Sequence, residues 1–479
     1  MSVTTRVIKN SGLLMLASLI ANIMTFILTL FTARYLGTAN FGIISSATSM
    51  VGIFGILCDL GLSTYAIREV ARDKSNTSVY FGTTLLFRAL FTLITFLGYV
   101  VFILYNKFTA DTTYVMILFG FYMIFNSFTT FYYSLYQSNE KMQYQTISNS
   151  IYSTLVLIIS LIMIYYGMNV VYVAASYPIA MLLTLVYNGY IGFSKYPKFT
   201  VNLEKGFVKN LFVKGIPFGI TVVFTSIYFW IALIILTFIG SSVDVGLFSS
   251  SQKLLIVLGT IFGFLSNAIF PVMSQLHTED RDKLAKLYHK MMKYLLVLGL
   301  AIAVGTCLLS EDIIVLIYGA SFVDAAPSLS ILIWAGVFMF LTSGCTTLLG
   351  AINKQFTVTK IAAIGALVSV VVNSILISVY SFIGASYATV ITEFTMIFLM
   401  LLVLSRTEYS ISPRKAILPI IQIILANIIM AAVVIYLNQS FIISVPIAIV
   451  VYVIALFITG TVNKEDREII KDLIKDIRS

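Results

Sequence analysis

The sequence predicts an all-α polytopic membrane protein with about 14 transmembrane helices, and three observations support this prediction. Of its 479 residues, 59% are hydrophobic and only 10% are charged, and the mean hydropathy is +0.99. A soluble domain is ~45–50% apolar and ~25% charged, so this composition excludes a soluble enzyme, a nucleic-acid-binding protein and a disordered chain. About fourteen apolar runs, the second at 42–64, each have the roughly 20 residues that a helix needs to cross a bilayer.

The basic residues predict the orientation of these helices. With fourteen crossings both termini lie on one side, and 26 of the 30 lysines and arginines fall in the termini and loops of that side. Arg34 and Lys107 fall on the opposite side, and Arg88 and Lys253 fall inside helices. By the positive-inside rule both termini are cytoplasmic, and the chain belongs in the cytoplasmic membrane. The net charge of +10 therefore reflects topology and does not indicate a nucleic-acid partner.

Two pairs of similar segments indicate an internal repeat. Tyr35–Ser45 resembles Phe238–Ser249 about 204 residues later, and both have a glycine at the turn and another at the start of the next helix. Leu135–Asn139 resembles Leu349–Asn353 more weakly, at the inner end of the fourth helix of each half. Because six is an even number, the halves have the same orientation. The sequence therefore predicts two parallel six-helix repeats plus two C-terminal helices, an arrangement typical of transporters with the substrate site between the halves.

The repeat sets the predicted domain boundaries. The expected order is an N-terminal six-helix bundle (1–194), a cytoplasmic linker (195–211), a C-terminal six-helix bundle (212–406), two additional transmembrane helices (407–462) and a cytoplasmic amphipathic tail (463–479). The three cysteines and two histidines have neither metal-ligand spacing nor the pattern of a disulfide framework. No metal site and no cofactor are expected.

Several short motifs, in their order along the chain, support a resemblance to a known family. They are Ala33–Gly42, Asp59–Ser63 leading into Arg68–Arg72, Lys214–Phe218 and Tyr318–Phe322. Together they resemble the polysaccharide-export flippases of the multidrug/oligosaccharidyl-lipid/polysaccharide exporter superfamily, over nearly the whole chain. The resemblance implies a non-enzymatic flippase that moves a polyprenyl-(di)phosphate-linked oligosaccharide across the membrane by alternating access between the bundles. The expected partners are this glycan-lipid substrate, membrane lipid and H⁺ or Na⁺ as coupling ion, and a monomer is expected.

Five charged residues in or beside the helices are the candidate site residues. A charge near the bilayer centre costs at least about 2.5–3.5 kcal/mol, so it usually faces a bundle interior or a wet cavity. Arg34, Arg88 and Lys253 are predicted to bind the phosphate groups of the substrate. The resemblance implies such cations on helices one and eight, positions that Arg34 and Lys253 match. Asp59 and Glu393 are predicted cavity or coupling residues, since a buried carboxylate can exchange a proton or bind Na⁺.

Each of these assignments has a structural alternative. Arg34 alternatively anchors its helix at the interface, Lys253 extends its ammonium group to the interface, and Arg88 forms a structural ion pair with Asp59. Glu393 is alternatively a neutral, hydrogen-bonded residue of the helix packing. The alternative function is a cation-coupled drug or metabolite antiporter of the same superfamily, which needs an acidic cavity. A membrane glycosyltransferase needs catalytic groups on sizeable aqueous loops, and the longest predicted external loop is under about 20 residues.

Overall fold

The computed structural model describes residues 3–411, 413–437 and 441–462, and every regular element in this part of the chain is a helix. The α-helices, in chain order, are α1 (Val3–Phe54), α2 (Leu62–Arg72), α3 (Thr77–Asn106), α4 (Ala110–Ser138), α5 (Met142–Tyr165), α6 (Val170–Lys195), α7 (Lys205–Ile239), α8 (Ser242–Glu279), α9 (Arg281–Leu308), α10 (Ser310–Tyr318), α11 (Ala326–Ala351), α12 (Gln355–Leu404), α13 (Pro413–Leu437) and α14 (Phe441–Ile458). Helices satisfy their backbone hydrogen bonds internally, as lipid requires. The predicted all-α polytopic fold is confirmed.

The number of crossings agrees with the prediction. Eleven helical segments of the described residues are long and apolar enough to cross a membrane. Two of them, within α1 and α12, contain a break, at Gly37 (φ 71°) and at Ser381 (φ 48°), and each therefore supplies two crossing helices. At 38 residues, or about 57 Å, α8 is long enough as well. With α8 counted by its length, the described helices supply fourteen candidate crossings, the number that the sequence predicts.

The second predicted span is not one continuous helix. In place of a helix over 42–64, α1 ends at Phe54, a 3₁₀ turn covers Gly55–Cys58, and α2 begins at Leu62. Leu60 (φ 49°) and Gly61 (φ 83°) have left-handed backbone conformations, which interrupt the helix. The prediction of a single helix was wrong here because apolar composition does not record where the backbone turns.

Contacts divide the described chain into two compact units. The first contains the chain up to Ser249 together with Ala366–Ala385, and the second contains Ser250–Gly365 and the described chain from Ser386 onward. In the first unit, α7 packs on α3 through Phe212 and Phe87, whose ring centres are 4.9 Å apart. The predicted bundle limits stay a prediction, as does the orientation of the termini. The predicted tail (463–479) lies outside the described residues.

The two C-terminal helices of the second unit pack on α9. The Tyr452 hydroxyl of α14 donates to the Val297 carbonyl of α9 at 2.8 Å, and the Asn427 amide of α13 donates to the same hydroxyl at 3.4 Å. Both Asn427 and Tyr452 are buried. One chain of hydrogen bonds therefore joins α9, α13 and α14 inside the apolar packing.

The connection between α12 and α13 is held against α8 and α9. Tyr409 is 2% exposed, and its hydroxyl lies 3.0 Å from His277 Nδ1. The His289 Nε2 group donates to the Tyr409 carbonyl at 3.3 Å, since a carbonyl oxygen can only accept. Arg281 adds an exposed ion pair with Glu408 at 3.2 Å. Both histidines of the sequence thus contact the same tyrosine.

Candidate substrate and coupling site

The five predicted site residues are distributed over both units. Arg34 lies on α1, Asp59 precedes α2, and Arg88 lies on α3, all in the first unit. Lys253 on α8 and Glu393 on α12 belong to the second unit. Of these residues, the structure brings Asp59 and Arg88 into direct contact.

Asp59 and Arg88 form a largely buried ion pair. Arg88 Nη2 lies 2.5 Å from Asp59 Oδ1, and the two side chains are 5% and 22% exposed. Arg88 Nη1 donates to the Ser127 carbonyl at 2.7 Å and to the Thr130 hydroxyl at 3.3 Å, both on α4. The guanidinium carbon also lies 6.0 Å from the centre of the Phe131 ring, within cation–π range. A buried charge needs such pairing and hydrogen bonding to be stable.

Asp59 also holds the start of α2. Its carboxylate accepts hydrogen bonds from the Ser63 hydroxyl at 2.5 Å and from the Ser63 backbone N–H at 3.3 Å. These bonds satisfy a donor at the helix start that has no partner within the helix. A single carboxylate therefore joins the N-terminus of α2 to α3. The alternative interpretation of Arg88, an ion pair with Asp59, is the geometry that the structure has.

Buried hydroxyls line the same face of α3 as Arg88. Thr84, Thr92 and Thr95 lie four residues before and four and seven residues after Arg88, spacings that put them near one helix face. All three are buried, and the Thr92 hydroxyl lies 2.9 Å from the Ser127 hydroxyl. The ion pair therefore lies within a polar cluster between α3 and α4.

Arg34 lies at the end of the first part of α1, three residues before the break at Gly37. Its side chain is exposed. The neighbouring Tyr35 hydroxyl donates to the Met168 carbonyl at 2.9 Å, which ties this end of α1 to the turn between α5 and α6. An exposed cation at a helix end fits both phosphate binding and interfacial anchoring. The role of Arg34 stays a prediction.

Lys253 is half-buried in the first third of α8. The residues just before it are fixed by two hydrogen bonds within the second unit. The Tyr318 hydroxyl donates to the Ser250 carbonyl at 2.9 Å, and the Ser251 hydroxyl donates to the Ala325 carbonyl at 3.2 Å. This part of α8 is therefore packed against the end of α10 and the turn before α11. The phosphate-binding role of Lys253 also stays a prediction.

Glu393 is 3% exposed and lies on the face of α12 that contacts α11. Ser386 and Met400, seven residues before and after it, contact Ser328 and Thr346 of α11 at 2.8 and 3.5 Å. Among the ion pairs of the described residues, none involves Glu393. In the same part of the chain no group of three or more His, Cys, Asp or Glu residues could hold a metal ion. Glu393 is thus a buried carboxyl group apart from any metal-ligand cluster.

The glycines of the sequence repeat contact each other's helices. A Cβ atom on Gly42 would overlap the Ser242 carbonyl oxygen, and one on Gly246 would overlap the Thr38 carbonyl oxygen. Gly42 and Gly246 are 204 residues apart, as are Thr38 and Ser242, so the repeat relates the two contacts. The sequence revealed the repeat but not the contact, because spacing does not say which surfaces of two repeats meet.

A second close approach joins the start of α2 to α7. A Cβ atom on Gly61 would overlap the Gly219 backbone nitrogen and lie 2.7 Å from the Gly215 carbonyl oxygen. A Cβ atom on Gly219 would overlap the Leu60 carbonyl oxygen. Pro217, between the two α7 glycines, has no N–H to donate within the helix. The small-xxx-small spacing of Gly215 and Gly219 was the available sequence signal for this contact.

The long apolar helices define the class of protein, a polytopic helical membrane protein. The structure is similar to that of the lipid II flippase MurJ in an inward closed conformation, with a TM-score of 0.77 over 93% of this chain and 98% of that one, at 16% identity. It is also similar to an inward-facing multidrug resistance MATE family transporter, with a TM-score of 0.66 over 80% of this chain and 94% of that one, at 14% identity. At these identities the similarity establishes the fold.

Sequence comparison establishes the family. Residues 7–277 match the profile of the polysaccharide biosynthesis protein family, so the chain belongs to this family. CapF, a capsular polysaccharide biosynthesis protein of Staphylococcus aureus, is 22% identical over 81% of this chain and 96% of its own length. Two further relatives match over shorter stretches. The membrane protein MJ1068 of Methanocaldococcus jannaschii is 26% identical over 59% of this chain and 57% of its own length. The probable flippase AglR of Haloferax volcanii is 28% identical over 40% of each chain. The predicted family resemblance is confirmed.

Proposed function

We propose that this protein is a flippase that moves a polyprenyl-phosphate- or polyprenyl-diphosphate-linked oligosaccharide across the cytoplasmic membrane, for surface polysaccharide or glycan assembly. One observation carries the proposal: a chain of the polysaccharide biosynthesis family has a transporter fold over almost its whole length. Enzymatic sugar transfer needs catalytic groups on sizeable aqueous segments, and short connections join the described helices. Export of a lipid-linked intermediate is the step of polysaccharide synthesis that fits this architecture.

The proposed cycle is alternating access between the two predicted bundles, 1–194 and 212–406. Parallel repeats with a site between them open in turn to either side of the membrane. With both termini in the cytoplasm, Gly42 and Gly246 lie towards the outer surface, where their contact would close the path. Glycine contacts let helices approach closely without interlocking side chains, which suits a contact that forms and separates in each cycle. A single chain contains both repeats, so we propose a monomer as the functional unit.

The proposed phosphate ligands are the predicted cations. Arg34 and Lys253 supply the charge, because a guanidinium group binds phosphate oxygens in pairs and an ammonium group binds as a point charge. Arg88 is the third predicted cation, but its charge is already balanced by Asp59. The proposal for phosphate binding rests chiefly on Arg34 and Lys253, because these are the positions that the family resemblance indicates. The polyprenyl tail would remain in lipid while the head group crosses between the bundles.

Glu393 is the proposed coupling group, with H⁺ or Na⁺ as the ion. Its burial, and the lack of an ion-pair partner among the described residues, favour a carboxyl group that gains and loses an ion during the cycle. Asp59, the other predicted carboxylate, is already bound to Arg88 and Ser63. Removal of its charge would disturb α2 as well as any coupling. Glu393 is therefore the cleaner candidate.

The proposal is tested by complementation of a bacterial strain that lacks its own glycan exporter. The wild-type chain is expected to restore surface polysaccharide and to prevent accumulation of the lipid-linked intermediate. The double variant R34Q/K253Q should lose export by about ten-fold or more, since each charge-assisted hydrogen bond contributes about 1.5–3 kcal/mol. K107Q is the matched control, because Lys107 is an exposed cation on the same predicted side of the membrane as Arg34. Unchanged export by R34Q/K253Q at equal protein level would remove both residues from the site.

The alternative function is a cation-coupled drug or metabolite antiporter. The similarity in fold to a MATE multidrug transporter and the buried carboxyl group of Glu393 favour this alternative. It predicts resistance to cationic drugs on expression in a drug-sensitive strain, with no change in surface polysaccharide. Expression in parallel in the exporter-deficient strain and the drug-sensitive strain therefore separates the two functions.

A further inference from the structure

The second membrane span is bound to different partners at its two ends. Before the break, Gly42 lies in backbone contact with the start of α8, and the Thr237 hydroxyl in the second half of α7 donates to Ser46 at 2.9 Å. After the break, Gly61 lies in backbone contact with Gly215 and Gly219 of α7. The 3₁₀ turn and the left-handed residues 60 and 61 separate the two ends. A continuous helix moves as a rigid rod, so a displacement of one end also displaces the other end. An interrupted helix can move at one end while the other end stays in place.

The break itself is fixed to two further helices. Asp59 accepts hydrogen bonds from Ser63, at the start of α2, and from Arg88 on α3. Arg88 in turn donates to the Ser127 carbonyl and the Thr130 hydroxyl of α4. The ion pair therefore connects the interruption to α3 and α4, which pack on each other through Phe81 and the Phe131 ring of α4 at 5.6 Å.

We infer that Asp59 and Arg88 are positioning residues, which hold the break in the second span so that its two parts move separately. The inference rests on the proposed alternating-access function. The part of α1 after Gly37 follows α8 and the second half of α7, whereas α2 follows the first half of α7. Pro217 weakens α7 beside the Gly61 contact, so the two halves of α7 can move separately. When the contact between Gly42 and the start of α8 separates, α2 then stays in place. A movement of the first half of α7 carries α2 with it and leaves Gly42 in place.

This role differs from the predicted binding of phosphate by Arg88. A phosphate group would have to displace the Asp59 carboxylate, which is also bound to Ser63. The two roles predict opposite effects of neutralising Asp59. If Arg88 binds phosphate, its guanidinium group becomes free for the substrate and export persists. If the pair positions the break, the unpaired buried charge disrupts it and export falls.

Export by D59N, R88Q and the double variant D59N/R88Q separates these roles. Each single variant should lower export by about ten-fold or more at equal protein level, because one buried charge is left without its partner. The double variant leaves no unpaired charge and should export more than either single variant. R72Q, which breaks an exposed contact with Glu69 on α2, should export like wild type. Wild-type export by D59N, or no recovery in the double variant, would overturn the positioning role.

A distance measurement tests the inference separately from export. Spin labels are placed on α2 and α7 at Thr64 and Lys209, and in a second protein on α1 and α8 at Ala39 and Val243, with the three native cysteines replaced by alanine. In the purified full chain, R88Q should broaden the α2–α7 distance distribution and leave the α1–α8 distribution unchanged. An unchanged α2–α7 distribution, or equal broadening of both, would overturn the inference. Failure of the wild-type chain to export would instead overturn the proposed function, and the distances would still test the positioning role.

Discussion

The Ser249 hydroxyl donates a hydrogen bond to the Ser45 hydroxyl at 2.7 Å, and the two residues are 204 positions apart, the spacing of the repeat. Both side chains are nearly fully buried. One helical turn earlier, Gly42 and Gly246 lie in the reciprocal backbone contact. Equivalent residues of the two repeats therefore face each other along a helix crossing with internal symmetry. If the protein works by alternating access, this crossing has to separate when the outer side opens.

A disulfide between positions 45 and 249 should block export. In a variant without the native cysteines, S45C/S249C places two thiols where hydroxyl oxygens are now 2.7 Å apart, close enough for a short cross-link. Oxidation should keep the crossing closed and stop export, and a reducing agent should restore it. The measurement is export before and after reduction, with S45C alone as the control. Full export by the cross-linked protein would show that this crossing does not open in the cycle.

The glycine contact predicts a loss of stability in G42A. The added methyl group would overlap the Ser242 carbonyl oxygen, a backbone atom that cannot move aside alone. Overpacking of this kind typically costs about 1–3 kcal/mol, so the melting temperature of the purified protein should fall. G98A is the matched control, because a Cβ atom on Gly98 of α3 meets nothing within 4 Å. Equal melting temperatures for the two variants would contradict the close approach.

Composition and charge predicted the helices and their number because the solvent that a segment meets, lipid or water, decides whether its residues are apolar or charged. The bilayer requires long apolar helices whatever their partners are. The break at residues 55–61 was not predictable in this way, since an apolar turn held by Asp59 and Arg88 has the same hydropathy as an apolar helix. Its signal lay in Asp59 and Gly61 together, a capping carboxylate followed by a glycine.

The candidate site was predictable as a set of residues but not as a set of contacts. Intramembrane position selected Arg88 and Asp59, and the ion pair appeared among the alternatives for them. Choosing between a ligand and an ion pair needs the separation of the two side chains, which depends on how α3 packs against the interruption before α2. Sequence spacing fixes neighbours on one helix, whereas this contact is made between helices.

Glu393 provides a test of the proposed coupling. The variant E393Q keeps the shape of the side chain and removes its ionisable group, so the protein should fold normally. Export driven by a proton or sodium gradient in reconstituted vesicles should then lose its dependence on that gradient. E311Q, at an exposed carboxylate of α10, is the control. Gradient-dependent export that persists in E393Q would place coupling elsewhere in the chain.

The contacts of Tyr409 predict that the variant Y409F is less stable than wild type by an amount that depends on pH. Removal of its hydroxyl in Y409F breaks the contact with His277 and should lower the free energy of unfolding by about 1 kcal/mol at neutral pH. Burial, together with Glu408, raises the pKa of Tyr409. The folded chain therefore favours the neutral phenol, and the wild type loses stability as the pH rises above the unfolded value of about 10. Y409F lacks this titration and should lose less stability over the same range.

Thermal unfolding of the detergent-purified chain at pH 8 and at about pH 10.5 measures both effects. Y166F, at a tyrosine that is 71% exposed, is the matched control and should behave like wild type at both values. The difference in melting temperature between wild type and Y409F should narrow at the alkaline value, because only in the wild type does ionisation of this phenol favour the unfolded chain there. A gap of constant size would mean that the Tyr409 hydroxyl is not held in its buried position between α8 and α9.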